Sequence, residues 1–184
     1  MTLCASRFRG LVVLGLLVVG LACDAGEEGG DDTGGMRLTS SAFENEGTIP
    51  GKHAAEGVSP PVAWSDVPRG TKSLALIVDD PDAAGFTHWV LYDILPSAGG
   101  LAEDRPSGDN LFDPAGARQG PSDRPGPAGW FGPEPPPGET HRYAFTLYAL
   151  DVVLSTDGLG KDEILEHVEG HVLGKAVLVG KYGR

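Results

Sequence analysis

The chain has 184 residues, 40% of them hydrophobic and 22% charged, with a formal net charge of −12. So acidic a body repels nucleic acid and anionic lipid, and neither is expected as an electrostatic partner. Both cysteines stand early, at positions 4 and 23, so residues 24–184 have neither a disulfide nor a thiolate metal site.

The N-terminus reads as an export signal. Arg7 and Arg9 form a positive region, and residues 11–22 are an uncharged run of Leu, Val, Gly and Ala. That run suits a signal peptide and is short of the roughly 20 residues a membrane-spanning helix needs. It stops at Gly20-Leu21-Ala22-Cys23, which resembles a bacterial lipoprotein cleavage box. The expectation is a lipoprotein signal peptide over residues 1–22, with Cys23 as the lipidated N-terminus of the mature protein. The alternative is a plain signal peptide in which Cys23 is incidental. Removing residues 1–22 takes away two arginines and leaves a formal charge of −14.

Residues 23–36 are rich in Gly, Asp and Glu and offer little apolar surface to offset the entropy of ordering. They are expected to be a disordered acidic tether, holding a domain over residues 37–184 away from a membrane surface.

Within that domain, apolar runs bounded by Pro and Gly favour strands. Residues 73–79 (SLALIVD) predict a buried central strand, 88–95 (HWVLYDIL) a second and 141–150 (HRYAFTLYAL) a third. Shorter strands are expected over 37–43 and 62–64, and a late one over 176–182. The one helix expected is 161–169, with Ile164, Leu165 and Val168 on its apolar face. This pattern implies a mainly β, sheet-on-sheet fold. Residues 97–139 read as a long Pro/Gly-rich loop, of the kind that is functional or disordered, with Trp130 and Phe131 docking it onto the body.

Polar residues gather at the predicted strand mouths. Asp79-Asp80-Pro81-Asp82 follows the first strand, and carboxylates there need donors, a shared proton or a cationic partner. A proline turn whose aspartates cap backbone N–H groups is an equally open reading. His88 opens the second strand, and His141 and Tyr143 open the third. Together they form a better pattern for a pocket than any one of them alone.

The segments DDPDA, THW, GWFGPEPPPGETHRYAFTLYALD, GHVLGKA and GKYGR resemble, in order, motifs of the phosphatidylethanolamine-binding protein (PEBP) family. The branch they resemble is the bacterial YbhB/YbcL, Raf-kinase-inhibitor-like type. The resemblance implies two packed antiparallel sheets with a short C-terminal helix, and a pocket for phosphate-type anions or phospholipid head groups. Carried over by motif, the ligand-binding residues are Asp80, Asp82, His88, the Gly132-Pro133 backbone, His141 and Tyr143. Asp80 is expected to orient His88 or to face an ammonium group. Arg142, between two pocket residues on a strand, is expected on the opposite face. Glu134 stands where many bacterial members carry a cysteine, and the connection from the DPDA motif to His88 is short.

His167 and His171 are four apart, but Gly170 between them ends the helix and the HExxH order is missing, so no metal is expected. There is no G-x-S-x-G and no phosphate-cradling Walker loop. No cofactor and no catalytic residue are therefore predicted. The expected function is an envelope-tethered, non-enzymatic binding protein for a small anionic ligand, facing the periplasm or the exterior. An inhibitor of a protease or kinase is the first alternative, and a weak hydrolase using the Asp/His cluster the second.

Overall fold

The computed structural model describes residues 35–112 and 114–184. The expected signal peptide, the lipidation site Cys23 and the tether up to residue 34 lie outside the described residues. Met36, the last residue of the expected tether, is buried in the core, so the folded unit starts slightly earlier than predicted. Among the described residues no helix is long and apolar enough to cross a membrane.

Among the described residues the strands are β1 (Arg37–Thr39), β2 (Gly47–Thr48), β3 (Val62–Ser65), β4 (Ser73–Asp80), β5 (Phe86–Ile94), β6 (Gly100–Leu101), β7 (Asn110–Phe112), β8 (Ala115–Gly120), β9 (Thr140–Leu150) and β10 (Val172–Gly183), with one α-helix, α1 (Lys161–His167). They form a three-stranded sheet, β1-β3-β6, and a seven-stranded sheet, β2-β10-β9-β4-β5-β8-β7. Neighbours are antiparallel apart from the short parallel pair of β2 with β10. The mainly β, two-sheet architecture with one short helix is the one expected.

Both faces of the large sheet are covered. Leu74, Leu76 and Val78 of β4, with Leu91, Phe145 and Leu147, pack toward Leu38, Val62 and Trp64 of the small sheet. On the other face, Ala75 and Ile77 join Val90 and Tyr92 beneath Ile164 and Val168. A strand buried on both faces must be apolar at every position, which is why β4 reads as an unbroken run. In β9 buried and less buried residues alternate instead, with His141, Tyr143, Phe145 and Leu147 all on the inner side.

Two expectations need correction. The helix ends at His167, and Leu165 points to solvent at 37% exposure. Ile164 and Val168, four apart, form the buried stripe, and Leu165 lies about 100° round the helix from Ile164. The segment 97–139 also contains three short strands, β6, β7 and β8. Polar bonds organise it where apolar residues are few. Buried Gln119 accepts from Trp89 Nε1 at 2.7 Å and donates to the Pro106 and Gly108 carbonyls at 2.9 and 2.7 Å.

Candidate functional site

Antiparallel pairing brings the end of β4, the start of β5 and the start of β9 to one place. Asp79 stands opposite Ala144, Asp80 opposite Phe86, and Tyr182 of β10 opposite His141. Between Val78 and Asp79 the β4–β5 register shifts, so that Val78 faces Trp89 and Asp79 faces Thr87. His88 is the extra residue of this β-bulge, a device that re-aims a side chain at the margin of a sheet.

A cavity of about 480 Å³ opens here, lined by Asp80, His88, Tyr143 and His141 together with Phe86, Phe131 and Ala83. Glu134, Pro135, Pro136 and Arg184 complete its wall. The His88 ring stacks on Phe131, 5.5 Å between centroids and 4° from parallel, and meets Phe86 and Tyr143 edge-on. The cavity thus joins an aromatic shelf to a short row of ionisable groups.

Asp80 is the pivot of that row. It is 3% exposed, and its Oδ1 accepts the backbone N–H groups of Asp82 and Ala83 at 2.8 and 3.0 Å, capping the 3₁₀ turn Pro81–Ala83. Its Oδ2 takes His141 Nδ1 at 2.7 Å. Both open readings of this aspartate therefore hold together, since one oxygen caps the turn and the other binds a histidine.

His141 uses both of its nitrogens. Nε2 meets Glu139 Oε2 at 3.1 Å. Glu139 follows a Pro137-Gly138 turn, in which Gly138 takes φ +87° and the Glu139 N–H donates to the Pro136 carbonyl at 3.1 Å. The hydrogen bond to Asp80, and after it that to Glu139, raises the His141 pKa above the ordinary histidine value and favours the imidazolium.

His88 is the opposite case. Burial pushes its pKa down, and the bond from Nδ1 to the Phe131 carbonyl at 2.8 Å only partly counters that. A neutral ring with its proton on Nδ1 leaves Nε2 as an acceptor. Tyr143 is buried too, and desolvation first, then the charge of Asp80, raises its phenol pKa. Its hydroxyl has no partner in hydrogen-bond geometry among the described residues, although Asp80 and the Glu134 backbone are its polar neighbours.

Four of the predicted residues, Asp80, His88, His141 and Tyr143, line one cavity. Asp82 does not. It is exposed and held by Arg142 through the backbone N–H at 2.8 Å, Nε at 3.0 Å and Nη2 at 2.6 Å, which keeps its carboxyl far below the usual range. Arg142 thus lies on the outer face, as expected, and draws Asp82 with it. Gly132 and Pro133 stand behind the wall. The Gly132 N–H donates to Ala55 O at 2.9 Å, the Pro133 carbonyl accepts from Ala55 N at 3.0 Å, and proline has no N–H of its own. Neither backbone offers a donor to a ligand. Asp80 does not orient His88 either; the Phe131 carbonyl does.

Phe86, Glu139 and Arg184 were not foreseen. Phe86 lies two residues before His88 and Glu139 two before His141, a spacing that places such pairs on one side of a strand. Arg184 ends the GKYGR segment, but nothing in that segment aims it at the cavity, because placing it requires the register of β10 against β9.

His167 and His171 also stand apart from each other. His167 Nδ1 bonds the Glu163 carbonyl at 2.7 Å, and His171 Nδ1 bonds Asp151 Oδ1 at 2.8 Å.

Known proteins share this fold and sequence. A UPF0098 protein of Methanothermobacter thermautotrophicus is 48% identical over 154 residues, spanning 81% of this chain and 99% of the relative. One from Chlamydia trachomatis is 42% identical over 159 residues, 80% of this chain and 98% of its own length. The crystal structure of a PEBP homologue from Chlamydia trachomatis, at 40% identity, superimposes with a TM-score of 0.70 over 82% of this chain and 99% of that one. Escherichia coli YbcL, described as a member of the mammalian PEBP family, gives 0.72 at 28% identity, covering 81% and 98%. Residues 39–183 match the phosphatidylethanolamine-binding protein family from end to end of the folded unit. The chain belongs to that family.

Proposed function

We propose that this protein binds a small anionic ligand, of phosphate or phospholipid head-group type, in the cavity between Asp80, His88, His141 and Tyr143. The observation that carries this reading is the Tyr143 hydroxyl, a buried donor without a protein acceptor, set in the wall of a cavity that also holds the Arg184 guanidinium. An oxyanion supplies the acceptor that the hydroxyl lacks, and further acceptors for a guanidinium that has one, Glu134 Oε1. His88 Nε2, an acceptor, suits a protonated phosphate oxygen, and Phe86 with Phe131 suits an apolar group beside it. Glu134 and Glu139 favour a ligand that carries positive charge as well.

Binding without chemistry is the better reading of these groups. His141 has both ring nitrogens on carboxylates, which favours the imidazolium and leaves neither nitrogen free to serve as a base. Among the described residues, no serine, threonine or cysteine lines the cavity to act as a nucleophile. The apolar run 11–22 and Cys23 support attachment to the cell envelope through an acyl chain.

Calorimetric titration with inorganic phosphate and with phosphoethanolamine tests the proposal. Saturable binding is expected, weakened at least about tenfold in His88→Ala, which removes a hydrogen-bonding group from the cavity, and in His141→Ala, which removes the partner of Asp80 and leaves that buried carboxylate to repel an anion. Binding by both variants as tight as that of the wild type overturns the assignment of the cavity.

A further inference from the structure

We propose that Arg184 is the ligand-facing cation of this cavity and that Glu134 is its displaceable internal competitor. The ion pair between them then governs how strongly the cavity takes an anionic group. This inference rests on the anion-binding reading above and names the residues that tune it.

Of the basic residues that line the cavity, His141 and Arg184 differ in freedom. His141 is buried, with one nitrogen on Asp80 and the other on Glu139. Turning it toward a ligand breaks a bond to a buried carboxylate, which is costly. Arg184 is fixed only through its backbone. Its N–H donates to the Glu139 carbonyl at 3.2 Å, and its carbonyl accepts from Gly138 N at 2.7 Å. The side chain is 44% exposed and meets Glu134 Oε1 through Nη1 at 3.2 Å. That contact is longer than the roughly 2.7–2.9 Å of a strong charge-assisted hydrogen bond. Glu134 is itself 46% exposed, and pairs so open to water contribute little.

A guanidinium has five N–H donors in a planar fork, and this pair uses one of them. A phosphate-type anion offers two oxygens to that fork and is bound more strongly than one carboxylate oxygen at 3.2 Å. Glu134 loses little when released, because its carboxylate already faces water. Its backbone is held beside the stiff run Pro135-Pro136-Pro137, so it stays near the cavity and competes for the guanidinium again when the anion leaves. The short connection from the Gly138 turn anchors Arg184 to the loop that carries Glu134, which keeps the two partners of the switch together.

The test measures inorganic phosphate affinity of the full chain in mild detergent, at neutral pH and low salt, with thermal melts to confirm folding. Both residues are exposed, so substitution leaves the core untouched. Arg184→Gln is expected to weaken binding at least about tenfold, with partial recovery in Arg184→Lys. Glu134→Gln is expected to tighten it about three- to tenfold, by removing the competitor. In the Arg184→Gln background the same Glu134→Gln change gives no tightening. Wild-type affinity in Arg184→Gln overturns the proposal, and so does a Glu134→Gln gain that persists without the arginine, which reports a general field effect. Phosphate binding by Glu134→Gln but not by the wild type supports the competitor role outright. Binding by neither overturns the anion-binding reading and this inference with it.

Discussion

Asp80 and His141 share a buried ion pair in which the aspartate has no oxygen to spare, since Oδ2 takes His141 Nδ1 at 2.7 Å while Oδ1 caps the turn after β4. Asp80→Ala removes the cap and strands the imidazolium, and is expected to cost about 2–4 kcal/mol of folding stability. Asp80→Asn keeps an oxygen for the cap and is expected to lose less. In both variants the His141 pKa should fall toward the ordinary value of about 6.5. Denaturant melts and histidine NMR titration read the two effects, and an unchanged His141 titration contradicts the pairing.

The two cavity histidines should titrate on opposite sides of a free histidine. His141 has a raised pKa, so its stabilisation is complete below the unfolded value of about 6.5 and is lost as pH rises through its higher folded value. His88 has a lowered pKa, so its stabilisation is present above about 6.5 and is lost as pH falls through its lower folded value. His141→Gln is therefore expected to flatten the alkaline side of the stability profile, and His88→Gln the acidic side. Stability measured by urea melts from mildly acid to mildly alkaline pH, in wild type and both variants, checks the signs.

Asp82 belongs to the outer surface with Arg142. Asp82→Asn should leave phosphate affinity within about twofold of wild type, because its charge is exposed and already neutralised. Its depressed pKa means that its contribution is present above about 3.9 and fades as pH falls further, so the variant should lose less stability than the wild type on acidification through that range. A large loss of phosphate binding in Asp82→Asn restores it to the site.

Gly132 serves close packing. A Cβ there falls 2.1 Å from the His53 carbonyl and 2.7 Å from the Ala54 carbonyl carbon, both backbone atoms that cannot turn aside. Gly132→Ala is expected to destabilise the fold by about 2–4 kcal/mol. Because Phe131 is the preceding residue, its stacking on His88 should loosen, which near-UV circular dichroism can follow.

The strands that carry the site were readable because their burial is extreme. An unbroken apolar run such as residues 73–79 has few alternatives to a central strand, and the alternation from His141 to Leu147 marks one inner face. The short strands β6, β7 and β8 were hidden, because each gives the core a single apolar side chain (Leu101, Leu111 and Ala117), too few to make a periodic pattern, and the segment around them is tied by the polar bonds of Gln119. The same difference divides the site. His88, His141 and Tyr143 sit on strands whose direction fixes where they point. Asp82 lies on a turn, where one neighbouring arginine decides whether it faces the cavity or the solvent. Gly132 is needed for what it lacks, and a motif does not distinguish a backbone that donates to a ligand from one that must let another chain segment pass. The bulge at His88 also left no trace in local sequence, since it exists only as a mismatch between β4 and β5.

The cavity is built from residues that lie far apart along the chain, Asp80 and His141 being 61 positions apart and His88 and Phe131 43. No short fragment and no unfolded chain can hold these groups together, so whatever binds here binds the native state alone. Occupancy must then appear as resistance to heat, and a ligand present at a hundred times its dissociation constant adds about 2.7 kcal/mol to unfolding. A thermal-shift survey of small phosphorylated and zwitterionic compounds would rank them by affinity, and the order of the shifts would itself describe the chemistry of the physiological molecule.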